Sequence, residues 1–304
     1  MDAMHAVLAA DSSEPTGAAE SLIEAMCRRD ALEFTALSVA ALGSTSPDLL
    51  PDYLREAVVE DAVRARTNAE AAADELCSKG FRAVADTVRG HPGEQIVKAG
   101  NRHGCGLIVM GGGRHRWPGG RIFGSTSHYV LHAAAVSVLV VHEPPLEQQS
   151  CRVLVATDGS DSAEHALAQF EAIADPARCR VKVLSAVEPS PWDELVPVVL
   201  PALPLEAYEE VRVQRSAHAQ SFARSAAHRL AAAGFDVESD EVANGSPRSV
   251  VLEEAKAGAY DLVVVGSRGL GPVCRMLLGS VSEAVARHAR AALIGRPQTA
   301  AAST

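Results

Sequence analysis

A chain of 304 residues is long for one compact core and points to two domains of about 150 residues each. Its 47% hydrophobic and 22% charged residues are ordinary for a water-soluble globular protein, and a formal net charge of −10 opposes a phosphate-backbone partner. The opening residues lack the basic start of a secretion signal, and no apolar run approaches the roughly 18 residues that span a bilayer. Neither a membrane nor nucleic acid is therefore expected as a partner.

The first expected strand, 6–10, ends at Asp11-Ser-Ser. Further short apolar runs follow at 34–40, 82–88, 107–110 and 136–141, separated by longer Ala-rich amphipathic stretches. A polar, proline-bearing linker, 142–150, comes next. The pattern then starts again, with strands expected at 152–157, 181–187, 236–242, 262–265 and 291–294. Continuous Val/Ile/Leu runs suit strands covered on both faces, and strand–helix alternation implies a parallel sheet with right-handed crossovers.

The repeat is explicit in the residues. Gly90-His-Pro recurs as Gly245-Ser-Pro, Gly111 as Gly266 and Gly124-Ser-Thr-Ser127 as Gly279-Ser-Val-Ser282, each 155 positions on. Asp11 recurs as Asp158, only 147 positions on. The second copy thus carries about eight extra residues between its first and third strands, and the proline-rich stretch 189–204 is the obvious place for them. Two units, 1–145 and 150–298, follow.

The chemistry concentrates after strand 262–265, at Gly266-Ser-Arg-Gly269, nine residues, then Gly279-Ser280. Ligands of open parallel sheets bind beyond the carboxyl ends of the strands, where glycines let backbone N–H groups approach a phosphate. Ser280-Val-Ser-Glu283 reads as a capping box with Ser280 at the N-cap, opening a helix whose dipole faces the same crevice. Arg268 adds positive charge.

These residues resemble the universal stress proteins over both halves nearly end to end. Gly266-x-x-Gly269-x(9)-Gly279-Ser280 matches that family's ATP-binding pattern, and Asp158-Gly-Ser160 with Ala166-Leu167 resembles its opening segment. The resemblance implies two tandem doubly wound α/β domains, each a five-stranded parallel sheet of order 3-2-1-4-5 with helices on both faces. It implies ATP, with or without Mg, held by Thr157, Asp158 and the backbone near Ala186. Val265, Gly266, Arg268 and Gly269 would line the phosphates on one side, with Gly279, Ser280, Val281 and Ser282 on the other. The corresponding positions of the first copy are Asp11, Val39, Met110, Gly111, Arg114, Gly124, Ser125 and Thr126.

The first copy departs from the pattern. Arg114 stands where the second glycine belongs, and Ser12 replaces the glycine after the aspartate. Arg114 either fills the site or offers phosphate a guanidinium fork, so nucleotide binding there stays open. The run Arg114-His-Arg116 beside Trp117 reads as a mobile surface loop, the alternative being a lid that grips an anion. His128 and His132 are four apart on a helix but lack a third ligand at a telling sequence distance, so no metal is assigned. The six cysteines form no C-x-x-C pair and read as reduced thiols of a cytoplasmic protein. No Walker lysine loop and no paired metal-binding carboxylates are present, so the expected role is a nucleotide-dependent stress-response module with at most weak ATPase activity. The competing readings are a slow hydrolase or nucleotide transferase using the same crevice, and an interaction scaffold without nucleotide. In that family the last strands of two domains often pair, which here would join 136–141 to 291–294 within one chain. A homodimer of chains and an unidentified protein partner remain open.

Overall fold

A computed structural model describes residues 3–42, 51–102, 104–113, 115–117, 120–147, 150–189, 205–269 and 278–297. The first copy contributes β1 (Met4–Ala9), α1 (Glu14–Met26), β2 (Leu32–Ala40), α2 (Asp52–Ser78), β3 (Arg82–Arg89), α3 (Pro92–Gly100), β4 (Cys105–Gly111), α4 (Ser125–Ala133) and β7 (Ser137–Val141). The second contributes β8 (Cys151–Ala156), α5 (Asp161–Ile173), β9 (Cys179–Val187), α6 (Leu205–Ala232), β10 (Asp236–Asn244), α7 (Pro247–Ala257), β11 (Leu262–Gly266), α8 (Ser280–His288) and β12 (Ala291–Gly295). Between β4 and α4, β5 (His115–Trp117) and β6 (Gly120–Ile122) form a short antiparallel hairpin. Within the stretch expected as a surface loop, Trp117 thus pairs with Gly120 and His115 with Ile122.

All the main strands join one ten-stranded sheet, β10-β9-β8-β11-β12-β7-β4-β1-β2-β3. Each half reads 3-2-1-4-5 in its own strand numbers, with parallel pairing throughout, as expected. The halves meet at an antiparallel seam, where β12 pairs β7 with Leu293 opposite Leu139 and Ala291 opposite Val141. Two strand edges that would otherwise expose unpaired N–H and C=O groups thereby close on one another.

A second contact follows the same pseudo-twofold relation. Cys27 and Ala174, each just past the first helix of its copy, form an antiparallel bridge in which Arg28 N–H donates to Ile173 O (2.9 Å) and Asp175 N–H to Met26 O (2.7 Å). Strand alternation sends Leu8, Phe34 and Leu107 to one face of the sheet and Val7, Leu37 and Ile108 to the other. On the first face they join Val153, Phe170 and Val183 of the second copy, so one apolar core crosses the seam. Burying each such side chain contributes roughly 1.5–3 kcal/mol.

The second strands match at a shift of 147, whereas Gly90 and Gly245, which follow β3 and β10, match at 155. The extra residues therefore fall between β9 and β10. The stretch expected to hold them, from 190 to 204, lies outside the described residues. Among the described residues no helix is long and apolar enough to cross a membrane.

Candidate functional site

The site in the second copy is built by close backbone approaches at the carboxyl end of β11. A Cβ on Gly266 would lie 2.6 Å from the Ala163 nitrogen and 2.7 Å from the Ser162 carbonyl carbon, so only glycine lets β11 abut the start of α5. Ser160 caps α5, its hydroxyl accepting from Ala163 N–H at 3.3 Å. The hydroxyls of Ser160 and Ser162 both donate to the Arg268 carbonyl, and Arg268 N–H donates back to Ser162 Oγ at 3.2 Å. The first turn of the glycine loop is thus riveted to α5.

The far end of the loop returns to the same place. Gly279 N–H donates to Ser267 O at 2.9 Å, and Ser282 Oγ donates to Gly266 O at 2.7 Å. Ser282 therefore spends its hydroxyl on closing the loop. Ser280 is not the N-cap: Gly279 takes that place in an extended conformation (φ −70°, ψ 152°), and α8 begins at Ser280. With Gly279 at the N-cap, Glu283 is the fourth helical residue and not the third, so no capping box forms, and its carboxylate accepts from Arg287 at 2.8 Å. As the first three helical residues, Ser280, Val281 and Ser282 direct N–H groups at the crevice with no preceding carbonyl to bond. That is the arrangement by which a helix start attracts an anion.

Asp158 closes the opposite wall. Its Oδ1 accepts from Ser160 N–H at 3.0 Å, and Gly159 turns between them at φ +72° with the Phe222 ring packed where a Cβ would be. A Cβ on Gly269 would lie 2.6 Å from Asp158 Oδ2. The second glycine of the loop is therefore required by the aspartate as much as by a ligand.

The cleft between these walls is about 530 Å³. Thr157, Asp158, Ala186, Val265, Gly266, Arg268, Gly269, Gly279, Ser280, Val281 and Ser282 all line it. Sequence reasoning missed the wall formed by Ser246, Pro247, Arg248 and Val251 at the start of α7, together with Glu188 beyond β9. The repeat carried the signal: Gly245-Ser-Pro247 recurs as Gly90-His-Pro92, and Pro92 and Ile96 line the corresponding place in the first copy.

The first copy has a larger cavity, about 660 Å³. Asp11, Val39, Met110, Gly111, Gly124, Ser125 and Thr126 line it, while Arg114 lies outside the described residues. The same latches recur, with Ser127 Oγ donating to Gly111 O (2.8 Å), Gly124 N–H to Gly112 O (3.3 Å), and Gly124 at the N-cap of α4. The aspartate differs. Asp11 Oδ1 receives Ser13 N–H at 3.0 Å, the Ser13 hydroxyl, and Thr16 Oγ1 at 2.7 Å. Helix α2 adds Asp61, Arg64 and Asn68, none of which the sequence motif marks. Burial raises the Asp61 carboxyl, but the Leu42 N–H and the Arg64 guanidinium outweigh it and hold the pKa below the usual carboxylate value.

Away from both cavities, the fold supplies what the sequence spacing of His128 and His132 lacked. Glu283, from the other copy, brings a carboxylate oxygen to within 4.8 Å of a nitrogen of each imidazole.

A model of the universal stress protein family matches residues 4–142 and again residues 151–294. A universal stress protein of Thermus aquaticus is 34% identical over 139 residues, covering 45% of this chain and 91% of its own. A universal stress protein of Mycobacterium tuberculosis is 34% identical over 199 residues, covering 62% of this chain, and the match spans only 60% of the mycobacterial protein. The crystal structure of a universal stress protein from Archaeoglobus fulgidus superposes with a TM-score of 0.61 at 20% identity, over 97% of this chain and 98% of that one, a likeness of fold. Two family matches, joined by one ten-stranded sheet, make this chain a tandem member of the universal stress protein family.

Proposed function

We propose that this chain is an ATP-binding regulatory module, with units 1–145 and 150–298, whose second copy holds an adenine nucleotide in the cavity at the end of β11. The carrying observation is convergence: the free N–H groups at the start of α8, the two glycines of the loop and Asp158 all face one cleft of about 530 Å³. That volume is within the range of about 300–1,000 Å³ typical of small-molecule sites. The phosphates would lie at the start of α8 with Arg268 beside them, and the adenosine against Thr157, Asp158 and Ala186. When bound, the nucleotide supplies a polyphosphate that the loop backbone recognises; Mg would neutralise part of its charge. The chain's own part is to bind and orient, and to change the loop's state with occupancy.

Mass spectrometry of nucleotide released from purified protein, with calorimetric stoichiometry, tests this reading. ATP or ADP retained at one equivalent per chain, and bound about tenfold more weakly by Gly269→Ala, is the expected result. Failure of the wild-type protein to bind any adenine nucleotide overturns it. Single-turnover assays separate a module from an enzyme, because rapid product formation abolished by Asp158→Ala would require a hydrolase or transferase.

A further inference from the structure

We propose that His128, His132 and Glu283 form a site for a zinc-like divalent metal ion that clips the two copies together across the seam.

His128 and His132 lie four residues apart on α4, with ring centroids 4.4 Å apart. Glu283 comes from α8 of the other copy, and one ligand atom from each residue lies within 4.8 Å of the others. Tetrahedral zinc with arms of about 2.1 Å places its ligand atoms about 3.4 Å apart, so modest side-chain rotations close the set. Two histidines at i and i+4 with a glutamate from another element are a recognised zinc donor set, with a fourth position left for water.

A second observation points to a ligand. His132 Nε2 is buried with no hydrogen-bond partner among the described residues. A buried ring nitrogen without a partner is costly, and a metal ion is one of the few occupants that satisfies it.

The donor chemistry selects the ion. Imidazole nitrogens suit zinc, nickel or copper, whereas magnesium and calcium take oxygen ligands. Arg287 directs Nε and Nη2 at Glu283 Oε1, at 3.2 and 2.8 Å, which orients the carboxylate as outer partners of metal ligands do. The positive charges of Arg287 and Arg296 near the cluster oppose any cation there, so the bonds to the imidazole nitrogens have to carry the affinity.

Duplication explains how such a set arose. His128 and Glu283 occupy matching positions 155 apart, as do His132 and Arg287. Each of His128 and Glu283 also directly follows the N-terminal triad of its helix, so the metal would tie together the phosphate-facing ends of both copies.

The test uses the full chain, stripped of nucleotide and metal, so that it stands apart from ATP binding. Equilibrium dialysis with zinc is expected to give one equivalent per chain, cobalt to give the visible bands of a tetrahedral site, and zinc to raise the melting temperature. His132→Ala and Glu283→Gln are each expected to weaken zinc binding at least tenfold and to abolish the melting shift, with circular dichroism unchanged. His128→Ala provides an independent variant should either of those fail to fold. No zinc retained by the wild type, or equal zinc binding by all three variants, overturns the proposal.

Discussion

His142 and Arg296 sit at matching places, one residue past the last strand of each copy, and each reaches across the seam to the other copy's last helix. His142 Nε2 bonds Ala286 O at 2.8 Å, and Arg296 bonds Leu131 O and, at 2.7 Å, Ala134 O. Leu131 and Ala286 are themselves matching positions, 155 apart. Each side chain thus takes up a carbonyl at a helix C-terminus, where the dipole favours a cation. Burial, and then Arg268, lower the Arg296 pKa to about 10, which still leaves the guanidinium charged near neutral pH.

Arg296→Ala is expected to destabilise the chain by about 2 kcal/mol, because a charged donor is lost and two helix-end carbonyls are left without it. His142→Ala removes one such bond and is expected to cost about 1 kcal/mol. Urea denaturation of the two variants reads the difference; equal midpoints would refute the unequal roles.

Two loop glycines are expected to separate by stability. A Cβ on Gly266 strikes the backbone of Ser162 and Ala163, which cannot move without shifting α5, so Gly266→Ala is expected to cost about 1–3 kcal/mol. At Gly124 the nearest atom to a Cβ is 3.6 Å away, so Gly124→Ala loses only a favoured N-cap residue and is expected to cost about 0.5 kcal/mol. Thermal melts of both variants decide it.

Gly269→Ala addresses binding in place of stability. Its Cβ would lie 2.6 Å from Asp158 Oδ2, so the carboxylate has to swing out of its turn while the backbone stays put. Nucleotide affinity is expected to fall about tenfold, or about 1.4 kcal/mol, while the nucleotide-free protein loses no more than about 1 kcal/mol with the Ser160 N–H bond to Asp158. Calorimetry on wild type and variant checks this.

Glu20, on α1, provides a pH dependence. Burial raises its pKa from 4.5 to about 7, with Lys79 pulling it down and Glu75 pushing it up. The native state therefore holds a proton that the unfolded chain releases between pH 4.5 and 7, and stability falls as pH rises through that window. Glu20→Gln is expected to be more stable than wild type by roughly 2 kcal/mol at pH 8 and equal to it near pH 4. Denaturation at the two pH values measures the change, and a gain that is the same at both would rule out titration of Glu20 as its source.

Local patterning by itself determined the two copies, the strand–helix alternation within each and the glycines of the loop, while the strand order came with the family resemblance. Those features are written in short-range signals: apolar runs at strand length, Gly and Pro at turns, and a repeat whose offsets recur along the chain. The sequence also marked Gly269 against Arg114, because a turn that excludes a side chain is a property of a single position. Tertiary structure decided that Gly279 rather than Ser280 caps α8, since Gly279 N–H bonds Ser267 O and the Ser282 hydroxyl bonds Gly266 O at the end of β11. It alone brought the start of α7 to the cavity wall. It alone joined His132 to Glu283 and Arg296 to Leu131, pairs separated by 151 and 165 residues that no local pattern relates. Their meeting follows from the antiparallel seam of β7 and β12, which turns the last helix of each copy toward the other.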